Sequence, residues 1–338
     1  MTRTPIWHSV QDVPADFGAT AVSIGNYDGI HRGHRFVLDQ LLRHAEARSL
    51  TPVALTFWPH PRHVMRGVAE PPLITGHADR DRLLLLAGVG GVLDLEYTLE
   101  FAQHSPEDFV RTFLVEGLHA RCVVLGEDAL FGRGNAGDID TMRELGRRYG
   151  FEVVTVADLG PEGEGTGRIS SSRIRDSLLA GDVETAAEGL GRPHTVTDIV
   201  HHGHRRGREL GFPTANLGPT PDGLIPADGV YAGLLTVVDQ APAHSGTSPL
   251  TGAPATISIG TNPTFETGGA PRRTVEAYVH DDHDLDLYGD RVRLEFVAFQ
   301  RPTLTFDSID ALVEEMQRDV EVTRRTLEAV HSRPAMTD

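Results

Sequence analysis

IGNYDGIHRGH, residues 24–34, decides how the first half of this 338-residue chain is read. Just before it, AVSIG (21–25) is an apolar run with the look of a buried strand. Just after it, residues 34–48 place Val37, Leu38, Leu41, Leu42 and Ala45 on one helical face. Between them Gly25, Gly29 and Gly33 free the backbone. Strand, glycine turn and helix in that order bring N-terminal amides and a helix dipole to a point where a phosphate can bind. His31 and His34 are three residues apart and share a face of the first turn. Two imidazoles so placed can donate to phosphate oxygens as charge develops on them. Taken alone, H-x-G-H equally suits a metal ion or a chance pairing among 17 histidines.

The same alternation continues outward. VALTF (53–57), VLDLEY (92–97), CVVLGE (122–127) and FEVVTVADL (151–159) are strand-like. Helices are expected over 79–88, 105–118, 138–150 and 170–181; Ser105 and Pro106 open the second, and Gly150 stops the third. This pattern predicts an α/β fold, a doubly wound parallel sheet with helices on both faces and ligands beyond the carboxyl ends of its strands. After GRPHT (191–195) the pattern changes to short strands, among them GVYAGLLTVV, ATISIG, VEAYVH and VRLEFVAF. Their spacing predicts a small antiparallel β-barrel or sandwich, closed by one helix from Ser308 to about Ala329. The boundary is expected near 190, giving domains of 1–190 and 191–338, with 239–254 an exposed loop.

Composition narrows the function. Thirty-one basic against 48 acidic residues leave a net charge of −17. That field repels nucleic acid and anionic membranes, so neither is an expected partner. It also repels nucleotides, so a nucleotide site must carry its own local cations. The lone cysteine, Cys122, lies in an apolar run and suits a core position in a cytoplasmic protein. The N-terminus shows no signal-peptide pattern, and no apolar run reaches the ~18 residues a membrane span needs. Oligomeric state stays open.

A second phosphate candidate is RISSSRIR (168–175). Serine hydroxyls ahead of a helix, with Arg168, Arg173 and Arg175 beside them, suit phosphate oxygens; a plain serine cap with solvated arginines is the alternative. The combination of H-x-G-H and I-S-S-S-R in this order resembles the nucleotidylyltransferases. The fuller string GNYDGIHRGH, with TFWPHP (56–61) and VLGEDALFG (124–132), resembles the adenylyltransferase domain of the bacterial bifunctional riboflavin kinase/FAD synthetase family. LGRPH, GHRRGRELGFPTANL (203–217), PADGVYAG, SIGTNPTF, VEAYV and LYG follow that family's riboflavin kinase domain in order. The resemblance runs from about residue 20 to about 325.

The resemblance implies two reactions: phosphorylation of riboflavin to FMN by the second domain, and adenylylation of FMN to FAD by the first, with ATP and Mg²⁺. It implies a nucleotide site at Gly25, Tyr27, Asp28, Gly33, Arg168, Ser170, Ser171 and Ser172, with His31, His34 and Arg173 catalytic. It places Pro59, His60, Pro61 and Asp128 on the flavin side. Phe57 and Trp58 could stack on the flavin ring or pack in the core. In the second domain it implies that Gly207, Thr214 and Asn216 bind Mg-ATP, Thr214 and Asn216 as metal ligands, and that Glu276 is the base. Read from the residues alone, Thr214 and Asn216 are hard oxygen donors suited to Mg²⁺, or a polar loop, and Glu276 could face solvent.

Three departures stand out. Ala129 occupies a place where the family has an aromatic, which raises the alternative of a kinase whose first domain only binds nucleotide or flavin. Ser172 stands for a threonine, and Asp198 for a glycine at a position that could require positive φ.

Overall fold

Residues 5–66, 72–157, 169–202, 210–218, 220–245, 248–262, 272–280 and 286–332 are described by the computed structural model of the chain. Contacts divide it into two units: Met1–Leu73 with His77–Ser171, and Ile74–Gly76 with Ser172–Asp338.

The first unit follows from strands apolar on both faces. Its elements are β1 (Ile6–Trp7), β2 (Thr20–Ile24), α1 (Arg32–Glu46), β3 (Thr51–Trp58), α2 (Pro61–Arg66), α3 (His77–Leu86), β4 (Gly91–Glu96), α4 (Pro106–Phe109), β5 (Ala120–Gly126), α5 (Ile139–Tyr149) and β6 (Glu152–Val156). The strands form a parallel sheet in the order β1-β4-β3-β2-β5-β6. Because side chains alternate, Val22, Leu55, Leu93 and Val123 meet Phe109, Leu114 and Met142 on one face. Ala21, Ala54, Val92, Cys122 and Val124 meet Leu38, Leu41 and Leu84 on the other. Cys122 is buried there, and burial pushes its thiol up, which makes it a core residue.

Local signals set the helix ends. Ser105 Oγ accepts from Asp108 N–H to start α4, and Asp138 Oδ1 accepts from Thr141 N–H to start α5. Gly150, at φ 80°, ends α5. The segment after α4 departs from expectation: Val110–Gly117 is wound as a π-helix.

In the second unit, α6 (Ser171–Ala180) begins on the last residue of the first unit. It is followed by α7 (Val183–Leu190), β7 (His194–His201), β8 (Thr214–Leu217), β9 (Gly229–Asp239), β10 (Ala253–Asn262), β11 (Arg272–Val279), β12 (Arg291–Arg301) and α8 (Ile309–His331). Six antiparallel strands close into a barrel in the order β10-β11-β8-β7-β12-β9. Register shifts between β12 and β9 bend the strands as closure requires. Val196, Tyr231, Ile257, Leu294 and Phe296 fill the interior. Helix α8, capped by Ser308, packs through Leu327 and buried Thr323, whose hydroxyl meets Thr256 Oγ1 at 2.8 Å.

The loop at 239–254 holds a short 3-10 turn, Pro242–His244, tied down by Asp290, which accepts from Ala241 N–H and His244 Nδ1–H. At Asp198 the backbone is extended and not left-handed, so the glycine-to-Asp departure carries no positive-φ cost; its carboxylate accepts from Ile199 N–H.

Candidate active sites

The first cavity, about 410 Å³, lies at the carboxyl ends of β2 and β5, where the strand order reverses. Gly25, Tyr27, His31, Gly33, His34, Asp128, Ser170 and Ser171 line it, as do Arg62 and Ala129. The turn that brings them together is strained: Tyr27 and Ile30 sit at φ 51° and 41° in the left-handed region. Gly25 leaves room for packing: a Cβ there would lie 3.1 Å from the buried Tyr27 ring, tighter than an ordinary contact. At Gly33 a Cβ would press on the His31 imidazole at 3.1 Å.

His31 caps α1, its Nδ1 accepting from His34 N–H at 3.3 Å. With Nδ1 accepting, the ring hydrogen belongs on Nε2. The His34 ring stacks on it, centroids 3.7 Å apart. Burial first, with His31 beside it, pulls His34 well below the usual histidine range, so His34 is neutral. Ser171 Oγ–H donates to the Asp28 carbonyl at 2.8 Å and ties the start of α6 to the glycine turn. Asp28 is buried behind that turn and does not line the cavity.

Other expected residues lie elsewhere. Pro59, His60 and Pro61 lead into α2 without lining this cavity; His60 Nδ1 accepts from Arg62 N–H. Phe57 packs among Tyr97, Phe101 and Phe109 in the core, while Trp58 stacks on His77. Ser172 and Arg173 are exposed on α6 and fall in the second unit. Arg168 and Gly207 lie outside the described residues.

His77 also belongs to a buried charge network. It bonds to Asp94, whose other oxygen accepts from Arg80 at 2.7 Å, and Arg80 also donates to the Phe57 carbonyl at 2.8 Å. Burial alone would raise the Asp94 carboxyl, but His77 and Arg80 together hold it below the usual range. The ligand atoms of His77, Asp81 and Asp94 lie within 4.8 Å of one another. Arg80 already supplies the neutralising charge there, so the cluster is an ion-pair network that fixes β4 to α3.

The second cavity, also about 410 Å³, opens between the barrel and α8. Thr214 and Glu276 line it, with Thr256, Tyr278, Arg301, Leu312 and Met316. PTAN is not the polar loop that its residues alone allow: it forms β8, with Ala215 and Leu217 buried and Thr214 and Asn216 half-buried on the other face. The β8–β11 register puts Asn216 opposite Glu276. Thr214 Oγ1 donates to Glu276 Oε2 at 3.2 Å. Asn216 Nδ2 donates to Thr214 O and Oγ1, both at 3.1 Å, and its carbonyl oxygen accepts no bond among the described residues. Thr214 and Glu276 meet at the cavity, whereas Asn216 does not line it and turns its amide N–H towards Thr214; hydroxyl, carboxylate and amide oxygens are the hard donors that suit Mg²⁺. At the rim Arg301 forms a two-bond pair with Asp319 of α8, at 2.8 and 2.6 Å.

Sequence reasoning missed Arg62 and the helix residues Leu312 and Met316 as site residues. Arg62 directly follows the Pro-His-Pro turn, and the α8 residues were visible only as a closing apolar face.

A doubly wound sheet with a histidine-capped phosphate turn, joined to a closed barrel with a hydroxyl–amide–carboxylate strand pair, defines a two-part phosphate-transferring enzyme. A family model for FAD synthetase matches residues 13–173, and one for riboflavin kinase matches residues 190–327. A bifunctional riboflavin kinase/FMN adenylyltransferase of Listeria monocytogenes is 33% identical, covering 90% of this chain and 91% of that protein. Its namesake in Bacillus subtilis is 31% identical over 94% and 96%. A crystal structure from Streptococcus pneumoniae, described as a macrolide-efflux protein, superposes with a TM-score of 0.80 at 29% identity, covering 95% of this chain and 99% of that one. The chain belongs to the family of bifunctional riboflavin kinase/FMN adenylyltransferases. Among the described residues no helix is long and apolar enough to cross a membrane.

Proposed function

We propose that this chain converts riboflavin to FMN and then FMN to FAD, using ATP twice. The observation that supports the reading is that each unit holds its own cavity, the first lined by His31, His34 and Ser171 and the second by Thr214 and Glu276. We assign adenylyl transfer to residues 1–190 and the kinase reaction to 191–338, with ATP, riboflavin and FMN as substrates.

In the kinase site the riboflavin 5′-hydroxyl is a poor nucleophile until its proton has somewhere to go. Glu276 takes that proton while the hydroxyl oxygen bonds to the γ-phosphorus and ADP leaves. Thr214, bonded to the Glu276 carboxylate, holds it in place. Thr214 and Asn216 would hold Mg²⁺, which when bound neutralises charge on the ATP phosphates.

In the first site the FMN phosphate is already an anion, so no base is needed. Its oxygen attacks the α-phosphorus of ATP, and the bond to the β-phosphate breaks to release pyrophosphate. His31 Nε2–H and the amides opening α1 meet the charge that grows on the leaving group. A neutral imidazole such as His34 donates through its one N–H and, being a very weak acid, keeps that proton.

The test is one time course with riboflavin, ATP and Mg²⁺, resolving flavins by chromatography. FMN should rise first and FAD later. A reaction that stops at FMN would reject the bifunctional reading and leave a kinase with a binding-only first half, the alternative that Ala129 in the first cavity favours. Glu276→Gln should cut FMN formation by about 10²-fold or more and leave FMN-to-FAD conversion nearly unchanged.

A further inference from the structure

The first cavity must hold several phosphate charges inside a chain of net charge −17. Its inventory of cations is short. His31 spends its Nδ1 accepting a hydrogen bond, and His34 is kept neutral by burial. Asp128 brings a carboxylate to the same lining. Among the described residues bordering the cavity, Arg62 alone has a permanent positive charge.

Arg62 is also held ready. It lies on α2 directly after the turn that leaves β3, and its backbone N–H is anchored on His60 Nδ1 at 3.1 Å. Its guanidinium has no ion-pair partner among the described residues. Arg35, Arg111, Arg143 and Arg148, also exposed and in the same unit, are each paired with a carboxylate; among the described residues Arg32, Arg43, Arg121, Arg133 and Arg147 are not, but of the arginines without a pair Arg62 is the one that lines the cavity. In this acidic chain an unpaired arginine at a phosphate cavity is a free anion receptor. Strand order adds direction: β2 carries the histidine turn, β5 flanks it on one side, and β3, which delivers Arg62, flanks it on the other.

We propose that Arg62 grips a phosphate group in the first site during adenylyl transfer, and that this group is the phosphate of the incoming FMN. The inference rests on the adenylyl-transfer reading above. The bonding chemistry is the same for a flavin phosphate and for the ATP triphosphate, a guanidinium fork on phosphate oxygens. The β3-side placement, across from the helix that receives the triphosphate, selects the FMN phosphate.

The experiment uses the full chain and measures FAD formation with FMN and ATP varied separately, for the parent, Arg62→Gln and Arg62→Lys. Arg62→Gln should raise KM for FMN about tenfold or more, and Arg62→Lys should recover much of the loss. Added salt should weaken FMN binding less in Arg62→Gln than in the parent, because a charge contact has gone. Riboflavin phosphorylation by the same preparations should not change. A rise confined to KM for ATP would keep Arg62 as a phosphate grip and overturn its assignment to FMN. Unchanged KM for both substrates, in a parent that makes FAD, would overturn the proposal entirely. A parent that makes no FAD would reject the adenylyl-transfer reading instead. Calorimetric titration with pyrophosphate then decides Arg62 separately: weaker binding in Arg62→Gln keeps it as an anion receptor, and equal binding removes it.

Discussion

The two cavities have the same volume, about 410 Å³, and opposite chemical characters. The first is a strained glycine turn on a helix N-terminus, with two stacked imidazoles and an arginine at its border. The second is a stretch of strand pairing, where barrel register sets a carboxylate against a hydroxyl and an amide. On the roles proposed for these residues, the difference follows from the nucleophile. A phosphate arrives ionised and needs only positioning and charge relief, which loop amides and imidazoles supply. A hydroxyl must lose a proton, so its site is built round a carboxylate on a rigid strand.

The sharpest way to separate the two units is through stability. Asp94→Ala would leave buried Arg80 without its closest partner, and removing one member of a buried pair costs about 3–5 kcal/mol. On gradual heating, the variant should lose FAD formation well below the temperature at which riboflavin phosphorylation fails. Simultaneous loss would mean that the units unfold together.

The next effect is kinetic. Replacing His31 and His34 with Ala should slow FAD formation by about 10²–10³-fold, the usual loss when a donor to developing charge is removed. ATP binding should weaken far less, because the interaction is strongest in the transition state. The reaction should therefore accumulate FMN. FAD at the parental rate would make the pair structural and erase the contrast between the sites.

Acid sharpens the comparison within the barrel. His194 is fully buried and donates from Nε2 to the Leu224 carbonyl at 2.7 Å, and burial pulls it down to about 4. An unfolded histidine takes its proton near 6.5. The neutral ring thus contributes stability that is complete above pH 6.5 and is lost as pH falls towards 4. The loss amounts to about 3 kcal/mol. His194→Gln should flatten that slope in denaturant titrations at pH 7 and pH 4.5; an unchanged slope would assign the acid sensitivity to other groups.

The smallest change concerns Ala129, which borders the first cavity. Ala129→Phe restores ring area and should tighten FMN in the adenylylation step by about 1 kcal/mol, or roughly fivefold in KM. Weaker binding would show that the space beside Ala129 is already needed by the flavin.

Much of this arrangement was legible in the sequence. Two-sided burial demands unbroken apolar strands, and CVVL shows one; amphipathic helices announce themselves by spacing, as Leu38, Leu41 and Ala45 do. What escaped depends on pairing or on space. Thr214–Leu217 is too short and polar to announce a strand, and only β7 and β11 on either side make it one. The π-helical winding at 110–117 leaves the apolar spacing of a helix intact, so periodicity does not betray it. Arg62 is one of 31 basic residues, and its distinction is its place in the lining of the first cavity, which no linear pattern records.

The closed barrel and the open sheet also differ in what they offer to other molecules. A closed barrel has no terminal strand, so no foreign peptide can extend it by hydrogen bonding. The sheet ends on β1 and β6. One margin is only two residues long, and the other carries Glu152, clasped by Arg48, and Thr155, bonded to Arg143. Brevity guards one margin and charge the other. Strand addition, a common first step towards aggregation, thus finds poor templates on both edges of the sheet and none on the barrel.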